Sequence, residues 1–333
     1  MQTGNVLTQK ITAPGLTLNQ CYGYDSLNRL STAQERSGGT NCSGTLQWKQ
    51  SFTYDRFGNR NFDVANTTAN VLGPNPTINQ ANNRIATGQN YGYDSAGNLT
   101  RDPATPATNG IVYDAENRQT EYTKTGQQTN FYQYDGDGHR VKRTDNNGTT
   151  IFVYNAVSQL IAEYTSGAPS GIGGTSYLTS DHLGSTRVVM TSGIASRHDF
   201  LPFGEEIQAG IGGRTAGLGY VADNVRQKFT QKERDNESGL DYFLARYYSS
   251  AQGRFTSVDP MTITPARVVD PQQINLYSYV RNNPFAYVDP TGMLIDVSHL
   301  SKDDLKKWQR IVEIANQKDS KGNYVNPKLH EII

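Results

Sequence analysis

Cysteine is nearly absent from this sequence: Cys21 and Cys42 are the two in 333 residues. They are too few for a disulfide-built scaffold and are not spaced as C-x-x-C, which excludes a zinc or thioredoxin-like motif. One pairing is open to them, across Leu30 and Ser37-Gly38-Gly39-Thr40. A disulfide would fit an oxidising compartment; two free thiols are the plainer reading. Net charge is absent too, with 31 basic against 31 acidic residues. That balance argues against a chain-wide electrostatic footprint for nucleic acid. Long apolar runs are missing: Met293-Leu294-Ile295 is typical, and a membrane span needs about 20 residues. The start, Met1-Gln2-Thr3-Gly4-Asn5, has neither a basic nor an apolar region, so no signal peptide is visible. The expectation is that Met1 is not the start of the complete natural unit. Hydrophobic residues are sparse at 35%, yet a chain this long can bury a core, which argues against wholesale disorder.

What is present in quantity is Tyr, 20 residues, and Gly, 32 residues. With many Asn, this composition points to short strands joined by tight turns. Tyr-Asp recurs at 24–25, 54–55, 93–94, 113–114 and 134–135, each time before a turn signature. Three copies place Gly in the turn: Asp55-Arg56-Phe57-Gly58-Asn59, Asp94-Ser95-Ala96-Gly97-Asn98 and Asp135-Gly136-Asp137-Gly138-His139. Two place Asn instead: Asp25-Ser26-Leu27-Asn28-Arg29 and Asp114-Ala115-Glu116-Asn117-Arg118. Tyr154-Asn155 is a worn sixth copy, and from Tyr93 the steps are 20, 21 and 20 residues. Alternation before the Asp, as in Phe131-Tyr132-Gln133-Tyr134, is strand periodicity. The carboxylate can accept amides of the turn, and Gly or Asn tolerates left-handed backbone there. Each unit therefore reads strand, turn, strand. One hairpin cannot bury its own face, so the copies must stack, with the Tyr residues at equivalent places.

This pattern resembles the YD repeats of the Rhs and teneurin families, and the resemblance strengthens downstream. Asp181-His182-Leu183-Gly184-Ser185-Thr186-Arg187 is similar to the family's DHLGSTR segment, and Pro202-Phe203-Gly204-Glu205 to its PFGE motif. The stretch from Phe229 through Lys232-Glu233-Arg234-Asp235, Ala245-Arg246-Tyr247-Tyr248 and Gly253-Arg254-Phe255 to Asp259-Pro260 resembles the Rhs core-associated domain. Asn275-Leu276-Tyr277, Asn282-Asn283-Pro284 and Asp289-Pro290-Thr291-Gly292 complete it. The resemblance implies a mainly β fold of stacked antiparallel hairpins forming part of a hollow β-shell. It places a YD-repeat array at 1–170, the core-associated domain at 171–293 and a variable extension at 294–333. It further implies that the shell encloses a C-terminal polypeptide, often toxic, like that of a toxin-complex C component. The remaining shell strands would come from another chain or from a preceding region. First strands near Leu16 and Tyr24 are accordingly expected to present an unpaired edge. An immunity protein is a further implied partner, and the setting is a secreted or cell-surface delivery protein. No nucleic-acid partner and no cofactor is expected.

After Gly292 the character changes. Leu305, Trp308, Ile311, Val312 and Ala315 recur at helical spacing, behind Ser301, Asp303 and Asp304 as an N-terminus. About 40 residues is little from which to build an enzyme, so this is a truncated toxin cassette or a docking helix.

One constellation carries chemistry. Asp259 and Asp289 are each followed by Pro, and two carboxylates held close keep one proton between them, leaving the other free to act as a base. The resemblance assigns Arg246, Asp259 and Asp289 to self-cleavage between Met293 and Leu294, with Arg246 tuning the pair or stabilising developing charge. Two departures stand against this. Thr262 occupies a position where the family has Gly, and the interval from Asp259 to Asp289 is lengthened around Thr264-Pro265-Ala266. The alternatives are that both Asp residues simply cap turns, and that the chain is a Tyr-rich structural or adhesion surface binding protein or glycan partners. Elsewhere, Asp135-Gly136-Asp137-Gly138 lacks the Glu of a calcium loop, having Asn146 at that place, and reads as a turn. Asp181, His182 and Ser185 are triad residue types without triad spacing, and the five His residues show no metal-ligand spacing.

Overall fold

The computed structural model describes residues 4–108, 110–156, 159–166, 175–260 and 271–293. The helix expected over 301–318 lies outside them, as does Thr262. The described chain is mainly β, and all its strand pairs are antiparallel. Two units are distinguished, one built from residues up to 73 with those between 260 and 290, the other from Pro74–Asp259 with Thr291–Met293.

In the first unit, β1 (Thr8–Ala13), β2 (Leu16–Tyr24), β3 (Leu30–Ser37), β4 (Thr45–Tyr54) and β5 (Arg60–Phe62) form one meander in sequence order. The sheet edge is therefore β1, not the Leu16–Tyr24 strand, because Thr8–Ala13 pairs with it residue for residue. Leu18, Leu30, Ala33 and Trp48 fill the core. The Asn-rich motif docks on the second turn: Asn275 donates to Asn59 Oδ1 at 2.9 Å and Asn282 to the Gly58 carbonyl at 2.8 Å. Cys21 and Cys42 are joined in a disulfide, with Cα atoms 5.8 Å apart. The free-thiol reading is thereby corrected. The residues after β3 turn back towards β2, where Asn19 donates to the Gly39 carbonyl at 3.0 Å, and this return brings Cys42 to Cys21.

The second unit carries β6 (Ile78–Asn79), β7 (Arg84–Ile85), β8 (Gly92–Tyr93) and β9 (Leu99–Arg101) as two short pairs. A six-stranded sheet follows: β10 (Ile111–Tyr113), β11 (Gln119–Thr123), β12 (Thr129–Tyr134), β13 (Arg140–Asp145), β14 (Gly148–Tyr154) and β15 (Leu160–Thr165). Then come β16 (Ser176–Ser180), β17 (Thr186–Thr191) and β18 (Ile194–Arg197), and finally β19 (Glu233–Arg234), β20 (Asp241–Tyr242), β21 (Tyr247–Ser249) and β22 (Arg254–Phe255).

The repeat is real at atomic detail. In every copy the Tyr pairs with the residue six places on: Tyr24 with Leu30, Tyr54 with Arg60, Tyr93 with Leu99, Tyr113 with Gln119, Tyr134 with Arg140, Tyr154 with Leu160. The Asp Oδ1 accepts two turn amides; for Asp114 these are Glu116 and Arg118, both at 2.9 Å. Oδ2 takes the side chain four residues on: Arg29, Asn59, Asn98, Arg118 or His139. The fourth turn residue is left-handed, with φ between 60 and 97° at Asn28, Gly58, Gly97, Asn117 and Gly138, which explains the Gly-or-Asn choice. DHLGSTR proves to be the same turn without its Tyr: Asp181 Oδ1 accepts from Leu183 and Ser185, each at 3.0 Å. Consecutive copies are stitched together. Tyr134 donates to the Gln119 carbonyl at 2.6 Å, and the Arg118 guanidinium lies 5.2 Å over the Tyr134 ring. Arg29 covers Tyr54 and His139 covers Tyr154 in the same way. Tyr93, Tyr113 and Tyr134 pack on one buried cluster of Leu99, Ile111, Tyr122 and Tyr132, as their equal spacing requires.

A buried charge network joins this array to the β19–β22 sheet. Arg140 is fully buried; it meets Glu233 at 2.7 Å and Asp235 at 2.5 Å, and donates to the Tyr247 hydroxyl at 2.7 Å. Rings of Tyr242, Phe152 and Tyr132 surround its guanidinium at 4.5, 5.0 and 5.3 Å. Arg226 meets Glu233 at 2.8 Å and Arg143 meets Asp235 at 3.3 Å. Removing one partner of such a network strands the others in low dielectric. Arg140→Ala is therefore expected to cost about 3–5 kcal/mol in urea unfolding, and Arg140→Lys less, since charge is kept while the planar fork is lost. Reducing the disulfide, which closes a 21-residue separation, should cost roughly 3 kcal/mol in the same assay.

Candidate functional site

Arg246 sits in the link between β20 and β21. The link doubles back tightly: the Phe243 amide donates to the Arg246 carbonyl at 2.9 Å. Leu244 takes a left-handed conformation with φ 62°, a cost for a bulky residue that marks a forced turn. The turn aims two donors at residues 291–293. The Ala245 amide donates to the Thr291 carbonyl at 3.1 Å, and Arg246 Nε donates to the Gly292 carbonyl. Gly292 is required twice over. Its φ is 76°, and a Cβ there would lie 2.5 Å from the Phe243 carbonyl oxygen. Arg246 is 5% exposed, and its guanidinium carbon lies over the Phe255 ring, 3.6 Å from the centroid.

The structure thus brings Arg246 to the residue immediately before Met293, whose side chain is exposed. Asp259 is half-buried at the end of the second unit; Asp289 is buried and belongs to the first. Leu294 lies outside the described residues. Sequence reasoning missed Leu244 and Phe255 as parts of this clamp. Gly292 was legible through its motif, and the forced turn at Leu244 has no sequence signature. The triad types are not a triad: Asp181 caps its turn, and Ser185 Oγ accepts the Thr230 amide at 3.0 Å. Asp135, Asp137 and His139 offer ligand atoms within 4.8 Å of one another, but the Asp135 carboxylate is occupied by turn amides and by the His139 ring.

Perturbed titratable groups elsewhere in the second unit include Glu237, His198 and Asp223. Burial and the neighbouring Asp235 push the Glu237 carboxyl up to about 7, and it accepts the Tyr132 hydroxyl at 2.8 Å. His198 is buried between Glu206 and Asp223, 2.6 Å from the latter, with Lys228 at 2.9 Å from Asp223. Burial alone would lower His198, but the two carboxylates outweigh it and raise it above 6.5. Asp223 is opposed by burial as well, yet His198 and Lys228 hold it down at about 2. Both raised groups bind protons more tightly in the folded state. Their stabilisation is full at low pH and is lost as pH rises, for Glu237 between about 4.5 and 7, for His198 from 6.5 upward. The Asp223 contribution has the opposite sign and is lost as pH falls from about 4 to 2. Unfolding midpoints in urea are therefore expected to be higher at pH 5 than at pH 8, and His198→Gln should flatten the fall above pH 6.5.

No known family profile matches the chain. It is 30% identical over 264 residues to the tRNA3(Ser)-specific nuclease WapA of Bacillus spizizenii, covering 72% of this chain and 11% of that protein. It is 25% identical over 300 residues to toxin subunit YenC1 of Yersinia entomophaga, covering 82% of this chain and 28% of that one. The chain spans about a tenth of the WapA length and little more than a quarter of YenC1. The solved TcdB2-TccC3-Cdc42 structure is similar at 18% identity and a TM-score of 0.44, over 86% of this chain and 18% of that one. The shared repeat and these relatives make the chain a member of the Rhs/YD-repeat, toxin-complex family.

Proposed function

We propose that this chain is the closing part of a YD-repeat shell that encloses and presents the polypeptide following Met293, and that it cuts itself between Met293 and Leu294. The observation that carries the reading is the clamp on Gly292: a buried Arg246 and a forced turn hold the residue next to the proposed scissile bond. Fixing a peptide in one geometry is where much of the acceleration of its hydrolysis comes from. Asp259 and Asp289 would share one proton. The ionised carboxylate takes a proton from water as its oxygen attacks the Met293 carbonyl carbon; the protonated one gives its proton to the Leu294 nitrogen as the C–N bond breaks. Arg246 holds the segment in register. The WapA relatives are named as tRNA nucleases and the Yersinia relatives as toxin subunits, which supports a toxic cargo. The disulfide suits a secreted or cell-surface setting. In this reading residues 1–170 are shell, 171–293 its core-associated end and 294–333 the start of the cargo. Its partners are the remaining shell strands, that cargo and an immunity protein.

A second reading has its own observation. Phe131, Ile151, Val153 and Tyr164, all in the six-stranded sheet, are 36 to 65% exposed, as a structural or adhesion surface for protein or glycan would be. Intact mass of the chain, expressed with the missing shell strands, separates the two. The wild type is expected as two pieces divided at Met293–Leu294, and Asp259→Asn and Asp289→Asn as one. Gly292→Ala should slow cutting by at least about tenfold, because the new methyl unseats the segment. A whole wild type beside a cutting Thr262→Gly would identify Thr262 as the blocking residue. If both stay whole, self-cleavage is wrong and the surface reading stands.

A further inference from the structure

We infer that Phe255 is a positioning residue for self-cleavage: its ring face holds the Arg246 guanidinium in the plane that meets the Gly292 carbonyl. Its effect on cutting rests on the self-cleavage reading; the positioning itself does not. An arginine that reaches a carbonyl through Nε can still turn about its long side chain. A flat surface beneath the guanidinium removes that freedom, and an aromatic face does so with attraction. The Arg246–Phe255 separation is 3.6 Å, shorter than guanidinium–ring contacts such as Arg29–Tyr54 at 4.5 Å, Arg140–Tyr242 at 4.5 Å and Arg140–Tyr247 at 5.9 Å. Among those longer contacts, Arg29–Tyr54 and Arg118–Tyr134 stitch repeats together, and those of Arg140 belong to its buried network.

The ring is itself immobilised. Phe255 is 2% exposed, pairs with Tyr248 across β21 and β22, and meets the Tyr248 ring edge-on at 5.5 Å. It also meets the Phe243 ring at 5.6 Å and 89°. Phe243 supplies the carbonyl against which Gly292 lies. One side chain therefore touches both jaws of the clamp, the guanidinium and the residue that forms the seat. Phe255 makes no contact with the reacting bond in this account; it acts through Arg246.

The test compares Phe255→Leu with Phe255→Tyr in the full chain, expressed with its shell strands. Leu fills much of the volume without an aromatic face; Tyr keeps the face. Cutting is expected to slow about tenfold or more in Phe255→Leu and to stay near wild type in Phe255→Tyr. A fold defect would lower the unfolding midpoint and cutting together, so a second readout is needed. The Arg246 Nε–H proton, seen by 15N-resolved NMR, should be shifted upfield by the ring in wild type and Phe255→Tyr, and lose that shift in Phe255→Leu. Methylguanidinium at sub-denaturing concentration should restore cutting to Arg246→Ala but not to Arg246→Ala/Phe255→Leu. A wild type that does not cut, yet shows the shifted proton and loses it in Phe255→Leu, removes the self-cleavage reading and leaves the positioning in place. An unshifted wild-type proton, or unchanged cutting in Phe255→Leu, overturns the inference.

Discussion

An aspartate that satisfies its own turn is the interaction on which the rest of the structure depends. A tight reversal leaves amides pointing inward with nothing to bond, and the Asp Oδ1 of each copy accepts two of them. Its second oxygen then orients the residue four places on, and where that residue is Arg29, Arg118 or His139 it covers the next Tyr. The turn thus sets more than a local reversal. It fixes where the Tyr stands, and the Tyr hydroxyl reaches back to the preceding hairpin. A chain low in aliphatic residues replaces aliphatic bulk with aromatic rings whose polar ends are bonded, which lets a thin, half-exposed sheet hold one register.

Stacked hairpins alone would leave the β19–β22 sheet without a fixed place. The Arg140 network supplies that place at a high desolvation cost, offset by two carboxylates, a phenol and three ring faces. Ion pairs of this kind add little net stability over an apolar core, but they tolerate few alternative arrangements. That selectivity matters here, because β20 and β21 carry the forced turn that ends in Arg246. The order of dependence runs from turn to hairpin, from hairpin to Arg140, and from Arg140 to the clamp on Gly292.

The sequence by itself determined the repeat. Tyr-Asp spacing, the Gly-or-Asn choice and strand alternation are local properties, set by backbone sterics and by hydrogen bonds within about six residues, so they can be read without a fold. Arg246 and Gly292 were legible through the motifs that contain them. The tertiary structure decided what local chemistry cannot encode. Cys21 meets Cys42 because the residues after β3 turn back towards β2. Among the described residues the sheet ends at β1 because six further residues find a register against β2. Arg140 is a network centre rather than one more strand cation because Glu233 and Asp235, more than 90 residues away, are folded onto it. Phe255 bears on Gly292 through Arg246 and Phe243, and Arg246 lies 46 residues before Gly292 in the chain. Such pairings depend on which long-range contacts exclude water together, and no short-range pattern carries that information.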